Sequence, residues 1–301
     1  MISAVVHTYN EEKNIERCLS SLSFVDEIVL IDMDSKDRTR EIASNYKAKI
    51  FNHPYTGFVE PARNFGIQKV LGSWVLIVDA DEEISKTLAD KLISISREKR
   101  VDYCRVARKN IIFHKWIKHS GWWPDYQIRF FKKGCVSWSE KIHGVPLTRG
   151  TGLDLEANSD LSISHYNYQT IEQYIARLNR YTNISAKEFF LSNKKFSYRD
   201  VVNLSSKEFI NRYLVWEGYK DGIHGLALAF LQSLSEVVTY LKLWELENFK
   251  EERISLLESK EVISDGQNET QYWFYNTLLK EPHDFISDLI WRLKRKLSQH
   301  G

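Results

Sequence analysis

The chain has 301 residues, enough for one large α/β domain with an appendage or for two modest domains. Its net charge of +2 and the lack of a Lys/Arg stripe in its first half argue against a nucleic-acid-binding protein. Its cysteines are widely spaced and odd in number (Cys18, Cys104 and Cys135), which favours a reducing compartment over a disulfide framework. The first apolar run is too short for a signal peptide, so we expect a cytoplasmic protein.

The first hundred residues predict alternating strands and helices. Short apolar runs predict strands at 2–6, 28–33, 49–52 and 73–79. Amphipathic segments predict a helix after an Asn10 cap, helices at 35–46 and 60–70, and a helix after a Ser85 cap. This order predicts an α/β fold with a doubly wound, mostly parallel sheet.

The pattern changes near residue 102. Strand-like runs at 104–108, 111–117, 126–131 and 161–166 lie among loops, which predicts a small antiparallel extension of the sheet. From Thr170 onward the chain is predicted to be almost entirely helical. We therefore expect an α/β domain at 1–168 and a C-terminal helical region at 169–301.

Two carboxylates, Asp79 and Asp81, follow a buried strand directly. In open α/β sheets, ligands bind beyond the carboxyl ends of the strands. Oxygen ligands at this spacing suit Mg²⁺ or Mn²⁺, which usually also bind substrate phosphates. The alternative is an aspartate that only caps the following helix, but the position at a strand end favours a metal site.

Three further aspartates, Asp32, Asp34 and Asp37, follow the second predicted strand. Such carboxylates accept hydrogen bonds from a base or a ribose hydroxyl. We expect one of them to cap the next helix and at least one to bind a ligand. Arg63 and Asn64 lie between the two acidic loops, where Arg63 could bind a diphosphate or pair with an aspartate.

A loop rich in tryptophan precedes Asp125. An aspartate beside large aromatic rings is expected to have a raised pKa, which suits a general base; the alternative is a turn residue. Arg129 could position a phosphate or that aspartate. Glu140 and His143 follow, and His143 is either structural or a ligand of metal or phosphate.

These segments resemble the inverting family-two glycosyltransferases, which have a GT-A fold. The resemblance rests on VVHTYNEEKNIERCLSSL, IDMDSKDRT and ARNFGIQKVLGSWVLIVDADEEIS, and extends to about residue 245. The runs GWWPDYQIRFFKK and GYKDG are closest to the subgroup that includes lipopolysaccharide-core β-glucosyltransferases.

The resemblance implies roles for individual residues in a catalytic domain at 1–168. The donor would be a UDP-sugar, with UDP-glucose the first guess, assisted by Mn²⁺ or Mg²⁺. The implied base is Asp125, with Glu140 as the alternative, and the implied metal ligands are Asp81, Asp79 and His143. The donor would be bound by Thr8, Asn10, Glu11, Asp32, Asp37, Arg63, Asn64, Asp79 and Arg129.

Two positions depart from the subgroup. Relatives usually have His-Glu where this chain has His143-Gly144, so the base assignment between Asp125 and Glu140 stays open. The second acidic loop has Asp34 in a D-M-D-S run where many relatives have glycine. Contacts to the donor base could therefore differ from those of relatives.

Two C-terminal helices are strongly apolar on one side. Residues 225–244 carry Gln232, Glu236 and Lys242, which disfavours a membrane span. A stripe of Leu226, Phe230, Leu234, Val237 and Leu241 fits packing on a neighbour, a homo-oligomer or an interface. The last helix, 284–297, is basic and amphipathic, and fits either a solvated face or an anionic membrane surface.

The acceptor is expected to be a glycan or lipid-linked hydroxyl, at the cytoplasmic face of a membrane. A protein-directed glycosyltransferase is an alternative. A sugar-phosphate nucleotidyltransferase would need a glycine-rich basic loop, where this chain has HTYNEE. A non-catalytic binding protein on the same fold is the third alternative, disfavoured by the presence of both Asp79 and Asp81.

Overall fold

The computed structural model describes residues 1–55, 57, 59–98, 100–138 and 146–299. The chain divides into two compact units, one of 1–112 and 123–167, the other of 113–122 and 168–301. The predicted domains at 1–168 and 169–301 remain a prediction. Cys18, Cys104 and Cys135 are free thiols.

The first unit alternates strands and helices through its first hundred residues. Its strands and helices in chain order are β1 (Ile2–Thr8), α1 (Ile15–Ser21), β2 (Glu27–Asp32), α2 (Thr39–Ser44), β3 (Lys49–Asn52), α3 (Glu60–Lys69), β4 (Trp74–Asp79), β5 (Glu82–Ile84) and α4 (Lys86–Glu98). Ser85 caps α4 through Leu88 N–H at 3.0 Å, as predicted. The predicted Asn10 cap of α1 is wrong, since Asn14 occupies the N-cap position.

The remaining strands of this unit extend the sheet. They are β6 (Tyr103–Ile112), β8 (Asp125–Lys132), β9 (Val136–Ser137), β10 (Leu147–Thr148), β11 (Gly152–Asp154) and β12 (Ile163–Tyr168), while β7 (Lys115–Trp116) belongs to the other unit. The single strand predicted at 111–117 is wrong. It is interrupted because Phe113 and His114 both have left-handed φ, 50° and 66°.

The sheet order is β3-β2-β1-β4-β8-β6-β12-β5, with β11 beside β6. The first four strands are parallel, and β8 pairs antiparallel with both β4 and β6. The predicted α/β fold class is confirmed. The register places Thr8 beside Asp32 and His7 beside Asp79, so three strands end at one edge.

The core has two layers, one on each face of the sheet. Alternation along β1 sends Ala4 and Val6 to one layer and Val5 to the other. The first layer packs against α1, α2 and α4, and the second against α3. Gly66 of α3 lies so close to β1 that an added Cβ would be 2.5 Å from Val5 Cγ1. This close packing fixes α3, and with it Arg63, against the sheet.

The second unit is mainly helical, as predicted. It contains α5 (Ile171–Leu191), α6 (Tyr198–Ile210), a π-helix (Asn211–Val215), a 3₁₀ turn (Gly218–Asp221), α7 (Ile223–Leu246), α8 (Leu256–Leu278) and α9 (Phe285–Leu297). The loop of 113–122 is held within this unit by Asp221, whose carboxylate accepts from His119 N–H at 2.8 Å.

Helix α7 is long and apolar enough to cross a membrane, by length and composition alone. Its buried face is Gly225, Leu228, Ala229, Thr239, Tyr240 and Leu243. The predicted packing stripe is not that face, because Phe230, Leu234 and Leu241 are exposed. The polar residues that interrupt the helix have partners: Lys242 donates to Thr182 Oγ1 at 2.8 Å and Gln232 to the Tyr174 hydroxyl at 2.7 Å.

Candidate functional site

The loops after β1 and β2 hydrogen-bond to each other at the carboxyl edge of the sheet. Asn10 N–H donates to Ser35 Oγ at 2.9 Å, and Asn10 Oδ1 accepts from Lys36 N–H at 2.7 Å. Asp37 accepts from the N–H groups of Glu12 and Thr39, both at 3.0 Å. Asn10 and Asp37 therefore fix the two loops relative to each other. The predicted aspartate cap of α2 is wrong, since Arg38 occupies the N-cap position without a side-chain cap, although Asp37 accepts from the N–H of Thr39, the first residue of the helix.

Glu11 takes part in the same loop system. Its backbone N–H donates to Thr39 Oγ1 at 2.8 Å, and its carboxylate accepts from Asn14 Nδ2 at 2.8 Å. Asn64 also binds the backbone: its Nδ2 donates to Trp138 O at 2.7 Å, and its Oδ1 accepts from Trp138 N–H at 2.9 Å. Glu11 and Asn64 therefore each stabilise the local backbone. Their predicted donor-binding roles remain predictions.

Several buried polar atoms at this edge have no hydrogen-bond partner among the described residues. They include Thr8 Oγ1, Asp32 Oδ2 and Arg63 Nη1, and also His7 Nδ1 and Arg129 Nε. Asp32 is fully buried, and its Oδ2 lies 3.6 Å from Arg40 Nη1. Buried polar groups are normally paired, because an unpaired one costs about 1–3 kcal/mol. An acceptor on β2 and a guanidinium donor on α3 are therefore available to a ligand.

Asp79 is held by two arginines. Its Oδ1 is 3.3 Å from Arg63 Nη2, and its Oδ2 is 2.6 Å from Arg129 Nη2. Burial raises the pKa of Asp79, but Arg129 and Arg63 outweigh it and hold the pKa well below its usual range. Both carboxylate oxygens are thus engaged by cations, so this geometry favours Asp79 as an arginine-positioning group over a direct metal ligand.

Arg129 also reaches a residue that the sequence did not single out. Its Nη2 is 2.7 Å from Oε1 of Glu82, which is fully buried, and Glu82 Oε2 accepts from Asp79 N–H at 2.9 Å. Burial raises the pKa of Glu82, against the opposing effect of Arg129. Glu82 therefore holds both the Arg129 guanidinium and the backbone N–H of Asp79 in place.

Asp125, on β8, is surrounded by polar groups. It lies 2.6 Å from Arg108 Nη2 and accepts from Asn110 and Gln127 at 3.2 and 2.8 Å. Burial raises the pKa of Asp125, but Arg108 and these hydrogen bonds lower it below the ordinary value. The expected raised pKa is wrong, because the strand register aligns Arg108 with Asp125. The other base candidate, Glu140, and the predicted ligand His143 lie outside the described residues.

Asp81 lies next to a histidine that sequence reasoning missed. His165 Nε2, on β12, is 3.5 Å from Asp81 Oδ2, and both side chains are largely buried. His165 Nδ1 is 2.6 Å from Asn110 Oδ1, and the Nδ2 of the same amide donates to Asp125. Because that amide donates to a carboxylate through nitrogen, its oxygen must accept from His165 Nδ1–H. With Nδ1 occupied by Asn110, Nε2 is the His165 nitrogen that faces Asp81.

The part of the chain that the structure describes contains no group of three or more His, Cys, Asp or Glu side chains placed to hold a metal. Asp81 and His165 could nevertheless contribute two ligands as a pair, since a carboxylate oxygen and an imidazole nitrogen face each other. The carboxylate oxygen suits Mg²⁺ or Mn²⁺. Further ligands would have to come from a bound diphosphate, water or a residue outside the described ranges.

Comparison with known proteins identifies the family of the N-terminal half of the chain. The family model described as glycosyl transferase family 2 matches residues 3–149. These residues form a family 2 glycosyltransferase domain. An uncharacterized glycosyltransferase of Rickettsia felis is 28% identical over 286 residues, covering 88% of this chain and 94% of the relative. Residues 3–149 are therefore the family 2 part of the chain, and together with the glycosyltransferase relatives they support a transferase.

More distant matches have named functions. This glycosyltransferase is 22% identical over 254 residues to LpsC of Rhizobium meliloti, a lipopolysaccharide core biosynthesis glycosyltransferase, with 81% of this chain and 92% of LpsC covered. The crystal structure of S. aureus TarS residues 1–349 in complex with UDP matches at 17% identity and a TM-score of 0.42. The match covers 85% of this chain and 94% of that one.

Proposed function

We propose that this glycosyltransferase transfers a hexose from a UDP-sugar to the hydroxyl of a glycan or lipid-linked acceptor, with inversion and with help from a divalent metal. The observation that carries the proposal is the set of unpaired buried atoms where β1, β2 and α3 meet. Asp32 Oδ2 is an acceptor and Arg63 Nη1 a donor, as a nucleoside and its phosphates require. The family 2 domain supplies the reaction class.

The nucleoside would bind beside Thr8 and Asp32. Their register places them on adjacent strands at the carboxyl edge, where ligands of open α/β sheets bind. A base N–H or a ribose hydroxyl would satisfy Asp32 Oδ2, and Thr8 Oγ1 would supply a second contact. The Asp32 side chain is fully buried, so a hydrogen bond from a ligand to Oδ2 would offset the desolvation cost that this polar group carries in the unliganded protein.

The diphosphate would lie toward Arg63. Asp79 holds this guanidinium through Nη2 and leaves Nη1 without a described partner. In this proposal Asp81 and His165 would hold the metal, and Asp79 would orient Arg63. The metal, when bound, would neutralise charge that develops on the leaving nucleoside diphosphate.

The proposed base is Asp125, with Glu140 as the second candidate. The lowered pKa keeps Asp125 ionised at neutral pH, but it also makes this carboxylate a weaker base than an ordinary aspartate, so Glu140 is tested beside it. Arg108 and Asn110 fix its orientation. Direct attack of the deprotonated hydroxyl on the anomeric carbon would then invert its configuration.

The proposed acceptor class rests on a named relative. The relative LpsC acts in lipopolysaccharide core biosynthesis by its name, which supports a lipid-linked glycan as the first acceptor to test. UDP-glucose is the first donor to test because the sequence resemblance implies it. A protein acceptor is the alternative to include in the same panel.

The test is a thermal-shift panel of nucleotides and UDP-sugars with and without Mn²⁺, followed by assay of UDP release. We expect UDP to raise the melting temperature more with Mn²⁺, and Asp81→Asn to remove that extra stabilisation. UDP release should require an acceptor. Absence of any nucleotide shift in a protein that melts cooperatively would contradict the proposal, as would release of pyrophosphate in place of UDP.

A further inference from the structure

Helix α9 turns its apolar side to solvent. Its aliphatic residues and its phenylalanine are between 44% and 82% exposed, and no residue of the helix is buried: Phe285, Ile286, Leu289, Ile290, Leu293 and Leu297. At 100° per residue these six side chains occupy one arc of the helix surface. A helix of a water-soluble unit ordinarily turns such an arc inward.

The opposite side of α9 is the one that packs. Ser287, Asp288, Trp291 and Arg295 are its less exposed residues, and they recur at helical spacing. Arg295 donates to Asn276 of α8 at 3.0 Å, and the Trp291 ring lies 5.0 Å from that of His283. Since the polar side already holds the helix in place, the apolar arc is left for something outside the chain.

Basic side chains border the arc. On the helical wheel Arg292 and Lys294 lie at its two edges and Lys296 lies just inside one edge. The helix carries four basic residues and a single acidic one, Asp288, which pairs with Arg292 at 2.6 Å. Long basic side chains at the rim of an apolar face extend toward anionic headgroups while their stems cover the apolar surface.

We propose that α9 binds an anionic lipid surface, lying in the plane of the headgroups with its apolar arc in the acyl boundary. A second copy of the chain fits less well. Packing two such arcs in parallel would bring Lys294 and Lys296 of both copies close, and like charges repel. Anionic headgroups instead neutralise these cations. The proposal rests on α9 and α8 alone and is independent of the donor, the metal and the acceptor.

The experiment is sedimentation of the full chain with vesicles of phosphatidylcholine, with or without phosphatidylglycerol. Leu289→Glu/Leu293→Glu places two negative charges on the arc at exposed positions. Lys260→Glu is the matched control, because it changes the charge equally at an exposed site on α8. We expect binding only to vesicles with phosphatidylglycerol, weakened by salt. The double variant should bind at least about tenfold more weakly and the control less than about threefold.

The outcomes separate the two occupants. Equal binding of the wild type and the double variant, or equal binding to both vesicle types, would overturn the proposal. The proposal would also be overturned if the wild type does not bind vesicles but forms a dimer in analytical ultracentrifugation, and the double variant is monomeric. Circular dichroism and the melting temperature verify that the double variant remains folded. A second double variant, Arg292→Gln/Lys294→Gln, keeps the apolar arc and removes two of its bordering charges, so it should lose the preference for anionic vesicles.

Discussion

Replacing Arg129 with methionine tests whether the buried ion cluster holds the site together. The Arg129 side chain is 2% exposed and lies 2.6 Å from Asp79 and 2.7 Å from Glu82. Methionine fills similar volume without charge, so two buried carboxylates would face each other without their shared cation. Breaking a buried pair by removing one partner costs about 3–5 kcal/mol. At roughly 2–4 °C per kcal/mol, we expect the melting temperature to fall by about 6–20 °C.

The control and the pH dependence make this prediction specific. Arg105→Met removes an ion pair with Asp154 in which both side chains are about half exposed, so it should cost less than about 1 kcal/mol. The depressed pKa of Asp79 gives stability above its unfolded value of about 3.9 that is lost as pH falls through the folded value. Without Arg129, both carboxylates take up protons at higher pH. The difference in unfolding free energy between wild type and variant should therefore narrow as pH falls toward the folded pKa of Asp79 in the wild type.

The measurement is urea unfolding followed by tryptophan fluorescence, with a double variant as the decisive comparison. Adding Glu82→Gln to Arg129→Met removes the buried carboxylate that has lost its contact with Arg129. The double variant should therefore recover part of the lost unfolding free energy. A loss no larger than that of Arg105→Met, or no recovery in the double variant, would refute the assignment of Arg129 as the cation that holds this edge.

Four further predictions concern the site. Asp32→Asn should weaken UDP binding about 10–100-fold in calorimetry, and unchanged affinity would remove Asp32 from the nucleoside site. Asn110→Leu should weaken Mn²⁺ binding about 10–100-fold, because it frees the His165 tautomer; unaltered affinity would contradict that role. Asp125→Asn should lower kcat about 10²–10⁴-fold at unchanged donor KM, unless Glu140 is the base. Burial, with Arg63, lowers the pKa of His7 to about 3, so unfolding free energy should fall below pH 6.5, a slope that His7→Gln should flatten.

Much of the fold was predictable because its periodicity is local. Apolar runs and the residues that follow them located β1, β2 and β4, and the rule for parallel sheets brought Asp32, Asp79 and Asp81 to one edge. Helix boundaries were less accurate: the first helix begins near Ile15 because the segment after Asn10 hydrogen-bonds to the neighbouring loop.

The missed residues come from strands that pair over long sequence distances. His165 of β12 meets Asp81 and Asn110, and Arg108 of β6 meets Asp125 by register. A single sequence does not specify that register. A signal was nonetheless present: Ile163, His165 and Asn167 alternate as the buried side of β12, so two polar residues occupy inward positions of a strand. Polar residues at such positions warrant attention as site candidates.

The hydrogen bonds between the loops of Asn10 and Asp37 also act on strand assembly. They join segments that follow β1 and β2, and they can form only when Thr8 stands beside Asp32. A slip of two residues would keep every apolar side chain on its correct face, so core packing alone would tolerate it. These loop contacts would not. The same few polar groups that lie at the candidate binding edge thus also favour this register of β1 and β2 over a register shifted by two residues.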